Sequence, residues 1–191
     1  MCQIVIYQPG DSPKSFMKQC QRAEDANMDG NGFAQPLRAI YDLSAKEVID
    51  YFDETKPAIF HARISTSGKS RRMLHSFKIK GGYLFHNGVF GGRFKGNEIF
   101  SDTSHLAEFM NQNDITAFFL NSLTNRQLSF LLPELKGNRL AVLSSRGKIS
   151  TFGEGWQTVN GILCCGTGCA VPAYNSRWQP KVTEDLQPFS L

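Results

Sequence analysis

Cys2 directly follows Met1, and that position changes what its thiol can do. A thiol attacks as thiolate, so a free pKa of roughly 8.5 calls for a nearby base or positive charge. Removal of Met1 would leave Cys2 with a free α-amine of pKa about 7.7–8.0, able to take the thiol proton and return it to a leaving group. Cysteine is common after an initiator methionine, so the position means little without partners. Three polar clusters supply candidates: His61-Ala62-Arg63-Ile64-Ser65-Thr66, His86-Asn87-Gly88 and Ser101-Asp102-Thr103-Ser104. Singly, each has an ordinary reading: Arg63 in a surface ion pair, Asn87-Gly88 in a turn, Asp102 as a helix cap.

Together and in this order, with Asn27-x-Asp29-Gly30-x-Gly32, these segments resemble the glutaminase domain of class II glutamine amidotransferases, a branch of the N-terminal nucleophile hydrolases. The resemblance spans roughly residues 2–165. It implies an α+β fold, a four-layer αββα sandwich with two stacked antiparallel sheets. It also implies hydrolysis of the glutamine side-chain amide to glutamate and ammonia through a γ-glutamyl thioester on Cys2. Arg63 would grip the substrate α-carboxylate with both ends of its planar guanidinium, Thr66 would add a hydroxyl bond, and Asp102 would hold the α-ammonium. The Asn87 side chain and the Gly88 N–H would stabilise the oxyanion. No metal or organic cofactor is called for. Ammonia would pass to a separate synthase chain, because the roughly 25 residues after Cys165 are too few for a synthase domain. Gln3, Ser67 and Ser104 depart from the family's usual glycine, histidine and glutamate, which bears on substrate preference.

Other chemistries fit less well. Cys164, Cys165 and Cys169 lack the C-x-x-C pairing of a zinc site, and no histidine follows them. Gly68-Lys69-Ser70 has Arg63 where a phosphate loop needs its first glycine, and Gly91-Gly92-Arg93-Phe94-Lys95-Gly96 lacks the dinucleotide spacing. His75 and His105 read as structural or surface residues. Two further hypotheses keep the same scaffold: an amidohydrolase for another amide, and an inactive regulatory or binding module.

The elements that must position these residues are legible in part. Gln3–Tyr7 is a β-branched run stopped by Pro9-Gly10, and Ser12-Pro13 opens a helix bearing Phe16, Met17, Cys20 and Ala23 at helical spacing, ending near the glycines of 27–32. Ser44-Ala45-Lys46-Glu47 is a capping box for a second helix bearing Val48, Tyr51 and Phe52. Strands are expected over Ala58–Ile64 and Gly82–His86. A helix capped by Asp102 or Thr103 carries Leu106, Phe109 and Met110, and Thr124 with Gln127 caps another. Arg139–Ser144 and Lys148–Phe152 form a hairpin, with Val159–Cys164 as a third strand; residues 170–191 read as an irregular tail.

This order lacks regular βαβ alternation and favours antiparallel sheets with helices outside. At 191 residues, 41% hydrophobic and 20% charged, one globular domain over residues 1–191 suffices. A net charge of +4, with its basic residues clustered at Lys69-Ser70-Arg71-Arg72, does not by itself indicate nucleic acid. The absence of a secretory signal or a long apolar run, with an odd count of five cysteines, points to the cytoplasm.

Overall fold

A computed structural model describes residues 1–68, 70, 73–113, 133 and 136–166. Its elements are β1 (Gln3–Tyr7), α1 (Pro13–Ala26), β2 (Asn31–Gln35), β3 (Arg38–Tyr41), β4 (Ala58–Ala62), β5 (Phe77–Ile79), β6 (Gly82–Asn87), α2 (Asp102–Gln112), β7 (Arg139–Ser144), β8 (Ile149–Phe152), β9 (Trp156–Val159) and β10 (Ile162–Cys165). They build two antiparallel sheets, one ordered β3-β2-β4-β1-β10-β9 and the other β5-β6-β7-β8.

The period-2 alternation of each strand decides what lies on either face. In β1, Ile4 and Ile6 point between the sheets, where they meet Ile59, Phe85, Ala141, Leu143 and Cys165. Val5 and Tyr7 point the other way, onto Phe16, Cys20 and Ala23 of α1. In the second sheet, Leu84, Leu140 and Val142 face Leu106 and Met110 of α2. Each sheet thus has a helix on its outer face and the other sheet on its inner face. A strand covered on both sides must be apolar throughout, as Gln3–Tyr7 nearly is.

α1 begins as expected. Ser12 caps it, accepting from the Ser15 N–H at 3.2 Å, and Pro13 occupies the first turn, where its missing N–H costs nothing. Full burial of Phe16 contributes roughly 1.5–3 kcal/mol. α2 is capped one residue earlier than expected, by Ser101, whose hydroxyl accepts from the Ser104 N–H at 3.1 Å. Asp102 is therefore the first helical residue.

The helix expected after Ser44 is a single 3₁₀ turn, Glu47–Asp50. The capping-box bonds form between Ser44 and Glu47, but the backbone beyond finds partners elsewhere. Gln35 donates to the Asp53 carbonyl at 2.7 Å and accepts from its N–H at 3.0 Å, while the Asp53 side chain holds Thr55. With those groups satisfied, helical continuation offers nothing more.

Five further strands differ from expectation. β2 and β3 form a hairpin across Pro36-Leu37, with Leu37 at φ 68° where glycine or asparagine is usual, so the turn carries no ordinary signal. β5 is only three residues long. The strand expected over Val159–Cys164 is broken by an Asn160-Gly161 hairpin turn, so Val159 ends β9 and Ile162 starts β10. That hairpin joins the first sheet beside β1 rather than extending the β7–β8 pair. Thr124, Gln127, Lys69, Arg71, Arg72, Cys169 and residues 170–191 lie outside the described residues. Among the described residues no helix is long and apolar enough to cross a membrane.

Candidate active site

A pocket opens where β1, the end of β4, the end of β6 and the start of α2 converge, lined by Cys2, Arg63, Thr66, Gly88 and Asp102 together with Ser67, His75, His86 and Thr103. Its interior is about 10 Å³, room for roughly one water.

The 27–32 segment braces the backbone that carries Cys2 and Arg63. Asn27 Nδ2 donates to the Ala62 carbonyl and to the Met1 carbonyl, both at 3.0 Å, tying the chain start to the end of β4. The Asp29 carboxylate accepts from the Ser65 N–H at 2.7 Å, and the Arg63 N–H donates to the Gly30 carbonyl at 3.0 Å. A Cβ on Gly32 would lie 1.4 Å from the His75 carbonyl oxygen, so no side chain fits there.

Cys2 is nearly buried, its sulfur 3.5 Å from the Ile64 N–H and 3.6 Å from the Ile64 carbonyl. Burial pushes its thiol above the ordinary value; the Ile64 N–H, the Arg63 charge and the chain amine pull it down, and Asp102 adds to the rise. The thiol form therefore prevails at neutrality. The Arg63 guanidinium is buried and donates to the carbonyls of Ser67 at 2.5 Å, Gly68 at 2.7 Å and Ser70 at 3.4 Å. These bonds tie Ser67, Gly68 and Ser70 to the pocket-lining Arg63. Thr66 is exposed at the rim.

Asp102 is 5% exposed, and each of its oxygens accepts a backbone N–H: Oδ2 from Phe90 at 2.7 Å, Oδ1 from Thr103 at 2.8 Å. Asn87 is fully buried and is absent from the pocket wall. Its Nδ2 donates to Cys165 Sγ at 3.3 Å and its Oδ1 has no partner. Burial raises the Cys165 thiol to about 11, so that sulfur stays protonated and neutral. Gly88 adopts φ 150°, and a Cβ there would sit 2.0 Å from Asn138 Oδ1.

The fold also gathers three buried histidines beside the pocket. His61 Nε2 lies 3.0 Å from the His86 carbonyl and 2.9 Å from His75 Nδ1. Desolvation lowers all three, His61 to about 3; repulsion from neighbouring histidines adds to this for His61 and His75, while Asp102 and Asn138 partly oppose it for His86, and the rings are neutral. His86 bridges Thr103 Oγ1 and Asn138 Oδ1, each at 2.8 Å, and stacks on Phe90.

One solved structure with a related chain path is an amidotransferase. It is the glutamine phosphoribosylpyrophosphate (PRPP) amidotransferase from B. subtilis, complexed with ADP and GMP, at a TM-score of 0.43 and 14% identity over 76% of this chain. This chain covers 35% of that enzyme's chain, about a third of its length. No protein-family model and no curated protein matches the sequence.

Of the residues singled out from the sequence, Cys2, Arg63, Thr66, Gly88 and Asp102 share the pocket, and Asn87 stands behind Gly88. His75 was read as a structural or surface residue and Thr103 as a possible helix cap, and Asn138 went unassigned. His61 and His86 already lay within the quoted motifs, but nothing in the linear order reports that His75 lands on them. Among the described residues no His, Cys, Asp and Glu cluster could hold a metal ion. Cys164 faces the α1 core and Cys165 the space between the sheets.

Proposed function

We propose that this chain hydrolyses the side-chain amide of glutamine, with Cys2 as nucleophile after Met1 is removed. The observation that carries this reading is the convergence of Cys2, Arg63 and Asp102, from three separate parts of the chain, on one pocket. A free amino acid bears a carboxylate and an ammonium, and a guanidinium beside a carboxylate offers each a charge-assisted partner. The arrangement of two antiparallel sheets between two helices supports assignment to the four-layer αββα sandwich of the N-terminal nucleophile hydrolases, and within it to the class II glutamine amidotransferases.

In the proposed reaction Arg63 and Thr66 bind the α-carboxylate, Asp102 binds the α-ammonium, and the side-chain amide faces Cys2. Because burial disfavours the thiolate, the freed α-amine of Cys2 takes the thiol proton. The sulfur adds to the amide carbonyl, and the oxyanion is held by the Gly88 N–H and by the Asn87 amide turned from Cys165. The amine then protonates the departing ammonia, leaving a γ-glutamyl thioester. The same amine deprotonates the water that cleaves this thioester to glutamate. The scheme uses neither metal nor organic cofactor. Entry of glutamine requires the backbone carbonyls of Ser67, Gly68 and Ser70 to yield part of their hold on Arg63. The ammonia is assigned to a separate synthase chain, and the location to the cytoplasm.

Intact mass followed by a glutamate-release assay tests the reading. Protein lacking Met1 is expected to hydrolyse glutamine, Cys2→Ala to be inactive, and N-acetylglutamine to be a poor substrate. Unchanged hydrolysis by Cys2→Ala overturns the nucleophile; equal turnover of N-acetylglutamine overturns the Asp102 clamp.

A further inference from the structure

His86 Nδ1 lies 3.9 Å from Oδ2 of Asp102, the residue assigned to the substrate ammonium, yet the proposed chemistry gives it no task. Its two ring nitrogens have distinct partners. Asn138 Nδ2 donates to the Lys136 carbonyl at 3.4 Å, which turns Asn138 Oδ1 toward His86 Nε2 at 2.8 Å. A carbonyl oxygen only accepts, so Nε2 carries the ring proton. Nδ1 of the neutral ring is then an acceptor, and the Thr103 hydroxyl at 2.8 Å donates to it. That hydroxyl has one proton. Given to His86, it is withheld from Asp102 Oδ1, 3.3 Å away. Asp102 is left with two backbone N–H donors, which orient the carboxylate without cancelling its charge.

We infer that His86 is a positioning residue: neutral in its bridge between Asn138 and Thr103, it leaves the Asp102 charge available to the substrate α-ammonium, and once protonated it competes for that charge. The inference rests on the glutamine reading above. A proton on Nδ1 makes it a donor, turns the Thr103 hydroxyl toward Asp102, and sets a cation 3.9 Å from Asp102 Oδ2. His86, Thr103 and Asp102 all line the pocket, so this cation stands where the ammonium would bind. Proton and ammonium therefore bind antagonistically.

The titratable groups around His86 are Asp102 from α2, which favours its protonation, and the neutral rings of His75 and His61. Cys2 and Arg63 face it across the pocket. Burial is the largest influence and keeps the ring neutral. The Phe90 ring covers one face at 4.2 Å.

The test is glutamine KM and kcat across about pH 5–8, the range in which a histidine titrates, on protein lacking Met1 and shown folded at each pH by circular dichroism. In the wild type KM is expected to rise as pH falls, approaching about tenfold per pH unit at its steepest, separately from the fall in kcat that protonation of the Cys2 α-amine brings. His86→Gln is expected to flatten that rise. Asn138→Asp, which places a carboxylate on Nε2 and favours the imidazolium, is expected to move it to higher pH. If His86→Gln does not fold, the Asn138→Asp shift decides. A wild-type acid rise retained in His86→Gln, or left in place by Asn138→Asp, overturns the inference. So does loss of kcat and stability with the KM profile unmoved, the result expected if His86 is only structural. Wild-type protein that turns over no glutamine at any pH overturns the proposed function itself.

Discussion

Replacing Asp102 by asparagine preserves the side chain's volume and tests both of its tasks. In the folded chain the two carboxylate oxygens accept one backbone N–H each, from Phe90 and Thr103. Asparagine has one oxygen and one NH₂, so whichever way it turns, one buried N–H meets another donor. An unsatisfied buried donor costs about 1–3 kcal/mol. Loss of negative charge in the first turn of α2 adds about 0.3–1 kcal/mol. The sum, about 1.3–4 kcal/mol, corresponds to a Tm lower by about 3–16 °C for a chain of this size. Urea unfolding followed by circular dichroism, with calorimetry alongside, measures it. A loss under about 0.5 kcal/mol, the usual effect of a surface change, refutes the assigned bonds. Glutamine extends the test. At about one hundred times its Kd it stabilises the wild type by about 2.7 kcal/mol and leaves Asp102→Asn almost unchanged. Equal stabilisation of both removes Asp102 from substrate binding.

Other outcomes follow from the same geometry. In Met1-retaining protein, alkylation of Cys2 by iodoacetamide, read by peptide mass, is expected to keep accelerating past about pH 9, because burial holds the thiol up; a plateau below about pH 8 contradicts this. Gly32→Ala places a Cβ 1.4 Å from the His75 carbonyl oxygen and is expected to yield insoluble or unfolded protein; a variant as soluble and heat-stable as the wild type means the backbone at His75 can move away from β2. His61, His75 and His86 titrate lower in the folded chain than in the unfolded one, so the unfolded chain binds more protons in acid. Their contribution is complete above the ordinary histidine value of about 6.5 and is lost as pH falls toward the folded values, about 3 for His61. Each neutral buried histidine adds up to about 1.4 kcal/mol per pH unit of slope, and urea midpoints unchanged between about pH 7 and 5 contradict their burial.

Elements whose signals are local were legible in the sequence. The Ser12-Pro13 start of α1, the largely apolar Gln3–Tyr7 strand and the β7–β8 hairpin each depend on propensities a few residues apart, and each formed where expected. The second helix failed because its competitor was remote. Gln35, on a strand of a hairpin the sequence did not announce, supplies the bonds that a helical ladder would have made with Asp53. The β9–β10 turn was a different failure: Asn160-Gly161 was visible, but the apolar run around it was read as continuous.

The site divides the same way. The sequence by itself determined which groups are present and what charge and nucleophilicity they bring, since Cys2, Arg63, Asn87 and Asp102 carry those properties wherever they lie. Only the tertiary structure decided that Cys2, Arg63 and Asp102 meet at one pocket while the Asn87 amide turns to Cys165. It also decided that three histidines are buried together and neutral. The physical reason is that charge and reactivity belong to a residue type, whereas burial and hydrogen-bond partners are set by whatever the rest of the chain packs against it.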